Sequence, residues 1–154
     1  MRKSMVVFIA LAVFAAGGAA WAADTNTLTV SASVVGTCKF SSATSALTFG
    51  ALDPSVGGDV NRSATTQFWC TRGVTTAPFT NDQGLHFAAG KNQMRDAVST
   101  DVIPYTLTLT PDTNSNAGPG SPRTLTIAGN VLGTDYTSKT AGNYADTVVL
   151  TLTP

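Results

Sequence analysis

The 154-residue chain has no glutamate, one histidine and two cysteines, and only 12% of its residues are charged. Each scarcity excludes something. Lys39, Arg62, Arg72, Lys91, Arg95, Arg123 and Lys139 are scattered, so no concentrated basic patch invites nucleic acid or an anionic membrane. The lone His86 has no flanking nucleophile motif such as G-x-S-x-G, which leaves general-base catalysis without a foothold. Two cysteines are too few for a zinc site, and Cys38 and Cys70 lie too far apart for a C-x-x-C redox pair. No apolar run reaches the roughly 20 residues that span a bilayer, and no segment sustains a helical period with caps. The chain reads as a non-enzyme with no cofactor.

What is present begins with an export signal. Arg2 and Lys3 precede an apolar run from Met5 to Ala16, and Ala20-Trp21-Ala22 supplies a small-x-small cleavage pattern. Residues 1–22 therefore read as a signal peptide, with a soluble, exported product starting near Ala23. Its removal leaves seven cations against nine acids, all Asp. About 132 residues remain, enough for one domain with one core. In an oxidising compartment the even pair Cys38 and Cys70 reads as a disulfide. The loop it closes is worth roughly 3 to 4 kcal/mol by chain entropy.

The mature part is rich in Thr and Ser, which suits a β-protein with a hydroxylated outer face, because the branched Cβ of Thr fits a pleated surface. Thr27 to Val34 alternates, placing Leu28, Val30, Ala32 and Val34 on one face. Asp146 to Thr153 alternates too, aligning Val148, Leu150 and Leu152. Neither apolar run carries an inner charge, a mid-strand Pro or a glycine bulge, the usual guards of an edge. Strands so unguarded either tuck into their own fold or pair with another molecule.

Between these ends, Gly36 to Phe40 leads into a Ser/Thr-rich loop, and Ala46 to Gly50 reads as a short strand. Val60 to Cys70 is extended, with Ala64, Thr66, Phe68 and Cys70 sharing a face. Thr75 to Thr80 is a weaker strand interrupted by Pro78, and residues 81–101 read as polar loop. Ile103 to Thr110 turns Tyr105, Leu107 and Leu109 to one side; Arg123 to Ala128 turns Leu125 and Ile127 inward. Asp112 to Pro122 between them reads as an exposed hairpin loop, and Val131 to Tyr136 as a last short strand before Tyr144 to Thr153. Seven or so short strands with frequent turns predict an all-β antiparallel sandwich.

Other candidate chemistry gives way to plainer readings. Asp112-Thr113-Asn114-Ser115-Asn116 mimics half a calcium loop, but the glycine falls one place late at Gly118 and the closing acid position holds Arg123. An Asn-rich turn explains those residues better, so no metal site is assigned. Asp53, Asp59, Asp96 and Asp101 sit among turn residues where Asp is expected. Gly118-Pro119-Gly120 lacks the Lys and helix start of a phosphate loop. Trp69 reads as packing near the disulfide rather than as a ligand platform.

An ordered set of pieces carries a family resemblance. It runs Val34-Val35-Gly36-Thr37-Cys38, Leu47-Thr48-Phe49-Gly50-Ala51-Leu52-Asp53-Pro54, and Phe68-Trp69-Cys70-Thr71-Arg72-Gly73. Gly90, Met94-Arg95, Pro104-Tyr105-Thr106-Leu107 and Gly142-Asn143-Tyr144-Ala145-Asp146-Thr147-Val148 complete it. The chain thereby resembles the spore coat protein U domain family, which includes pilin subunits of the archaic chaperone-usher pathway.

The resemblance implies an incomplete immunoglobulin-like β-sandwich over residues 36–154, whose groove is filled first by a periplasmic chaperone. At the outer-membrane usher, the N-terminal extension of the next, identical or related, pilin subunit then replaces it. Residues 23–35 would be the donor segment and first strand, with Leu28, Val30, Ala32 and Val34 entering the pockets. The strand around Val148, Leu150 and Leu152 would wall the acceptor groove. The expected product is a pilus (fimbrial) subunit at the cell surface, serving adhesion or biofilm formation. One small domain points to a shaft or minor subunit rather than a two-domain tip adhesin. A spore or cell-surface coat protein of the same fold, or a secreted monomeric binding module, are the alternatives.

Overall fold

The computed structural model describes residues 22–75 and 79–154. The export signal read over residues 1–22 lies, apart from Ala22, outside the described residues. The chain divides into two units at Ser33 and Val34. In the described part of the first, residues 22–33, no strand is assigned, and Leu28 and Val30 are each 83% exposed. The strand expected over Thr27 to Val34 is therefore not formed. Alternation supplies a face, but a strand also needs a ladder partner.

The second unit is an antiparallel β-sandwich. Its larger layer has six strands in the order β1-β2-β6-β5-β4-β7: β1 Cys38–Phe40, β2 Val60–Cys70, β4 Asn92–Asp96, β5 Val102–Pro111, β6 Arg123–Val131 and β7 Tyr144–Ala145. The smaller layer pairs β3 Phe79–Asn81 with β8 Leu150–Leu152. The centre of the large sheet is the most legible part. β2 and β6 pair over nine positions, from Val60 opposite Val131 to Phe68 opposite Arg123. β2 buries Thr66, Phe68 and Cys70 at every second place, and β6 does the same with Arg123, Leu125, Ile127, Gly129 and Val131. β5 continues this sheet on the other side of β6, as its Tyr105–Leu107–Leu109 row predicts.

The core has two centres. At one end Phe68, Cys70, Leu125 and Ile127 are buried beneath Phe79, Leu150 and Leu152 of the small layer. At the other, Phe49, Ile103, Tyr105, Val131 and Tyr136 are buried together. The predicted disulfide is formed: Cys38 stands directly across from Cys70 and closes the first end.

Five expectations are corrected. Residues 92–96, expected as loop, form β4; its amide-rich sequence hides a strand whose Asp96 is buried and bonded rather than solvated. Val131 to Tyr136 is not a strand: β6 runs on to Val131, and Gly133–Tyr136 makes one helical turn, α1. Ala46 to Gly50 buries Phe49 yet joins no sheet, and the final strand is split into β7 and β8. The hairpin loop at 112–122 is not wholly exposed. Asn116 within it is buried and donates from Nδ2 to the Val74 carbonyl at 2.7 Å.

Candidate functional site

Among the described residues, two stretches of the β-domain, outside any assigned strand, point apolar side chains inward. The first is 45–52, which turns Leu47 and Phe49 inward while its neighbours are exposed. Among the described residues it enters no strand pairing and no backbone hydrogen bond. The second is 146–149, between β7 and β8, where Val148 points inward and Thr147 and Val149 outward. These stretches face each other across a groove of about 840 Å³. Its floor is made by Ile103, Tyr105 and Leu107 of β5 with Ile127 of β6.

Close contact sets the first wall. A Cβ added to Gly129 of β6 would lie 2.5 Å from Leu47 Cδ2 and 2.9 Å from Phe49 Cζ. Glycine there lets the wall lie on the sheet. The wall then turns away at Gly50, whose φ of +79° is a backbone state that side chains rarely adopt.

Carboxylates set the second wall. Val149 spends both backbone groups on Asp82, donating to Oδ1 at 2.9 Å and accepting from the Asp82 amide at 3.0 Å. Asp146 accepts from the Tyr105 hydroxyl at 2.6 Å and from the amides of Leu85 and Thr147 at 2.9 Å each. Burial, reinforced by the Asp146 carboxylate, pushes the Tyr105 phenol well above its ordinary range. The hydroxyl therefore stays a donor at any physiological pH. Further along, Thr140 donates to Asp101 Oδ2 through both its amide (2.9 Å) and its hydroxyl (2.6 Å). A Cβ on Gly142 would strike Asp96 Oδ1 at 2.3 Å, so that glycine lets the 139–144 turn close over Asp96.

In strands, backbone groups of successive residues point to opposite sides. Since Val149 faces Asp82, the groups of Val148 and Leu150 face the other way, toward the open side. The groove is thus mostly apolar in its side chains, Asp146 apart, and among the described residues no backbone ladder runs along either rim.

The predicted acceptor residues divide. Val148 and Leu150 line the groove, whereas Leu152 packs with Phe68 and Leu125 in the first core centre. Leu28, Val30, Ala32 and Val34 are all exposed. Three participants are not singled out by the sequence pattern: Leu47 and Phe49 as a free wall, and Asp146 as the partner of Tyr105. The i, i+2 spacing of 47 and 49 is the only signal for the first two.

The calcium-like loop has another use. Arg123 occupies the place of the closing ligand, and its Nε reaches Asp112 Oδ1 at 2.8 Å. Among the described residues no three His, Cys, Asp or Glu side chains converge as a metal site would require. His86 and Trp69 are half-buried.

A family model described as the Spore Coat Protein U domain matches residues 24–151. No curated protein matches the chain.

Proposed function

The chain belongs to the Spore Coat Protein U domain family, and from that membership and the open groove we infer that it is a structural subunit of a surface fibre assembled by strand exchange. In this reading the N-terminal segment of one copy, carrying Leu28, Val30, Ala32 and Val34, lies in the groove of the next. Backbone hydrogen bonds along the rims supply affinity, and alternate side chains supply fit. One observation carries the reading: the groove lacks a strand, and the same chain holds an exposed, uncharged segment with strand periodicity. Burying four such side chains is worth at most roughly 5 to 10 kcal/mol before association costs.

An apolar groove of this size is a hazard in a free subunit. The reading therefore includes a periplasmic chaperone that covers it after export and an outer-membrane usher where the exchange occurs. The signal read at residues 1–22 would deliver the chain to that route, and the assembled fibre would serve adhesion or biofilm formation at the cell surface. No enzymatic activity is included.

The test is Val30→Asp. A charge in the donor row should give folded, chaperone-bound subunits that fail to polymerise. Ordinary fibres from this variant would refute the donor assignment. A self-complemented module predicts instead a stable monomer when purified without a chaperone, where the fibre reading predicts multimers or aggregates.

A further inference from the structure

The inner row of the second wall reads Tyr144, Asp146, Val148, Leu150, and these four line the groove while Leu152 does not. At about 3.3 Å per residue, Tyr144 to Leu150 spans roughly 20 Å. Leu28 to Val34 is the same number of steps, so four donor side chains meet four levels of wall. The levels are not alike. Three offer apolar or aromatic surface, whereas Asp146 presents a carboxylate already held by Tyr105, Leu85 and Thr147. A large apolar side chain pressed there would desolvate that charge for no new hydrogen bond. The smallest donor residue fits it best, and that residue is Ala32.

Resting on the strand-exchange reading above, we propose that the Tyr105–Asp146 pair sets donor register by accepting Ala32, with the donor antiparallel to the wall. Leu28 then lies beside Leu150, Val30 beside Val148, and Val34 beside Tyr144. Thr29, Ser31 and Ser33 face outward, where hydroxyls meet water. Sliding the donor by two residues carries Leu28 to Leu152, which does not line the groove, or carries Val34 to Gly142, which does but sets Val30 against the carboxylate. The parallel arrangement that seats all four sets Val30 against the carboxylate and leaves Ala32 underfilling the level of Val148, opposite Phe49 and Leu47. A void and a buried mismatch both oppose it. Parallel pairing is also slightly weaker per residue.

Cross-linking between full-length chains distinguishes these arrangements. Directly opposed residues in antiparallel strands hold their Cα atoms about 4.5 to 5.5 Å apart, within disulfide reach. Co-expressed V30C and V148C chains should yield multimers joined by a disulfide between the two substituted positions, seen on non-reducing gels with peptide mapping. Co-expressed V34C and L150C chains should give none. Cross-linking in the second pair, or multimers with no cross-link in the first, overturns the register while leaving strand exchange intact. Absence of any multimer from the unsubstituted chain refutes strand exchange itself, and the register with it. A second variant checks the small level: Ala32→Leu should lower multimer yield at least about tenfold. Normal assembly by A32L also overturns the proposal.

Discussion

Arg123 and Asp112 form a shielded ion pair at the mouth of the β5–β6 hairpin, with the guanidinium also stacked over Phe68. Nε meets Oδ1 at 2.8 Å, the guanidinium carbon lies 5.1 Å from the ring centroid, and Arg123 is only 4% exposed. Nη1 donates to Asn116 at 2.9 Å, and Nη2 to the Asp112 carbonyl. One side chain thereby fixes a loop whose Gly, Pro, Asn and Ser content would otherwise leave it loose.

Acid stability should report this pair. Burial alone would raise the Asp112 carboxyl, but the Thr124 amide and Arg123 together hold it down to about 2. The unfolded value is about 3.9, so the pair stabilises fully above about pH 4 and loses its effect as pH falls toward 2. Denaturant unfolding of the wild type should weaken across that window. Asp112→Asn should be less stable at neutral pH by about 3 kcal/mol and should show a flatter acid limb. Parallel pH profiles for the two proteins would contradict the assignment.

Removing the cross-link should cost stability without redirecting the fold. Cys38 and Cys70 are separated by 32 residues, and the double variant to Ser should lose about 3 kcal/mol. Chemical denaturation measures this directly. The three-residue strand β1 should show the largest gain in amide exchange, since little else pins it.

Tyr105→Phe should leave a folded domain with a disturbed groove. It deletes the hydroxyl that meets Asp146 at 2.6 Å and leaves that carboxylate two amide donors. The expected cost is about 1 to 2 kcal/mol in thermal or urea unfolding, with a loss in multimer formation beyond that of an equally destabilised variant elsewhere.

Gly129→Val should move the first wall. The added carbon meets only the ends of the Leu47 and Phe49 side chains, so the sheet survives and the wall lifts. Chaperone-bound yield should remain, while fibre formation falls. Gly133→Ala makes the contrasting case: its Cβ would come 1.9 Å from the Gly57 carbonyl oxygen, so soluble protein itself should be lost.

The sequence reveals the domain where side chains alternate cleanly and hides it where they do not. Val60–Cys70, Ile103–Thr110 and Arg123–Ala128 carry a two-residue period over long spans, and they form the sheet centre. Asn92–Asp96 has no apolar row to betray it: of its inward side chains only Met94 is apolar, and the Asp96 carboxylate is held by the amides of Val98 and Ser99 in the adjoining turn. Residues 133–136 are too few to display a helical period. The groove is hidden for a different reason. Its walls lie almost a hundred residues apart, and a groove is a relation between them that no local pattern records. Ala46 to Gly50 is legible as extended, yet its lack of a partner is not.

Only Val35, Gly36 and Thr37 separate Val34, the end of the proposed donor row, from Cys38. Thr37 is itself clasped to Thr71 by two amide contacts of 3.0 and 2.8 Å. Extended chain reaches about 3.5 Å per residue, so the span from Val34 to Cys38 is at most about 14 Å. Neighbours strung together through such a link would stand close, with little slack at each joint. Any pull along the string would load the Thr37–Thr71 contacts and then a covalent sulfur bridge before it reached the ladder beyond Cys38.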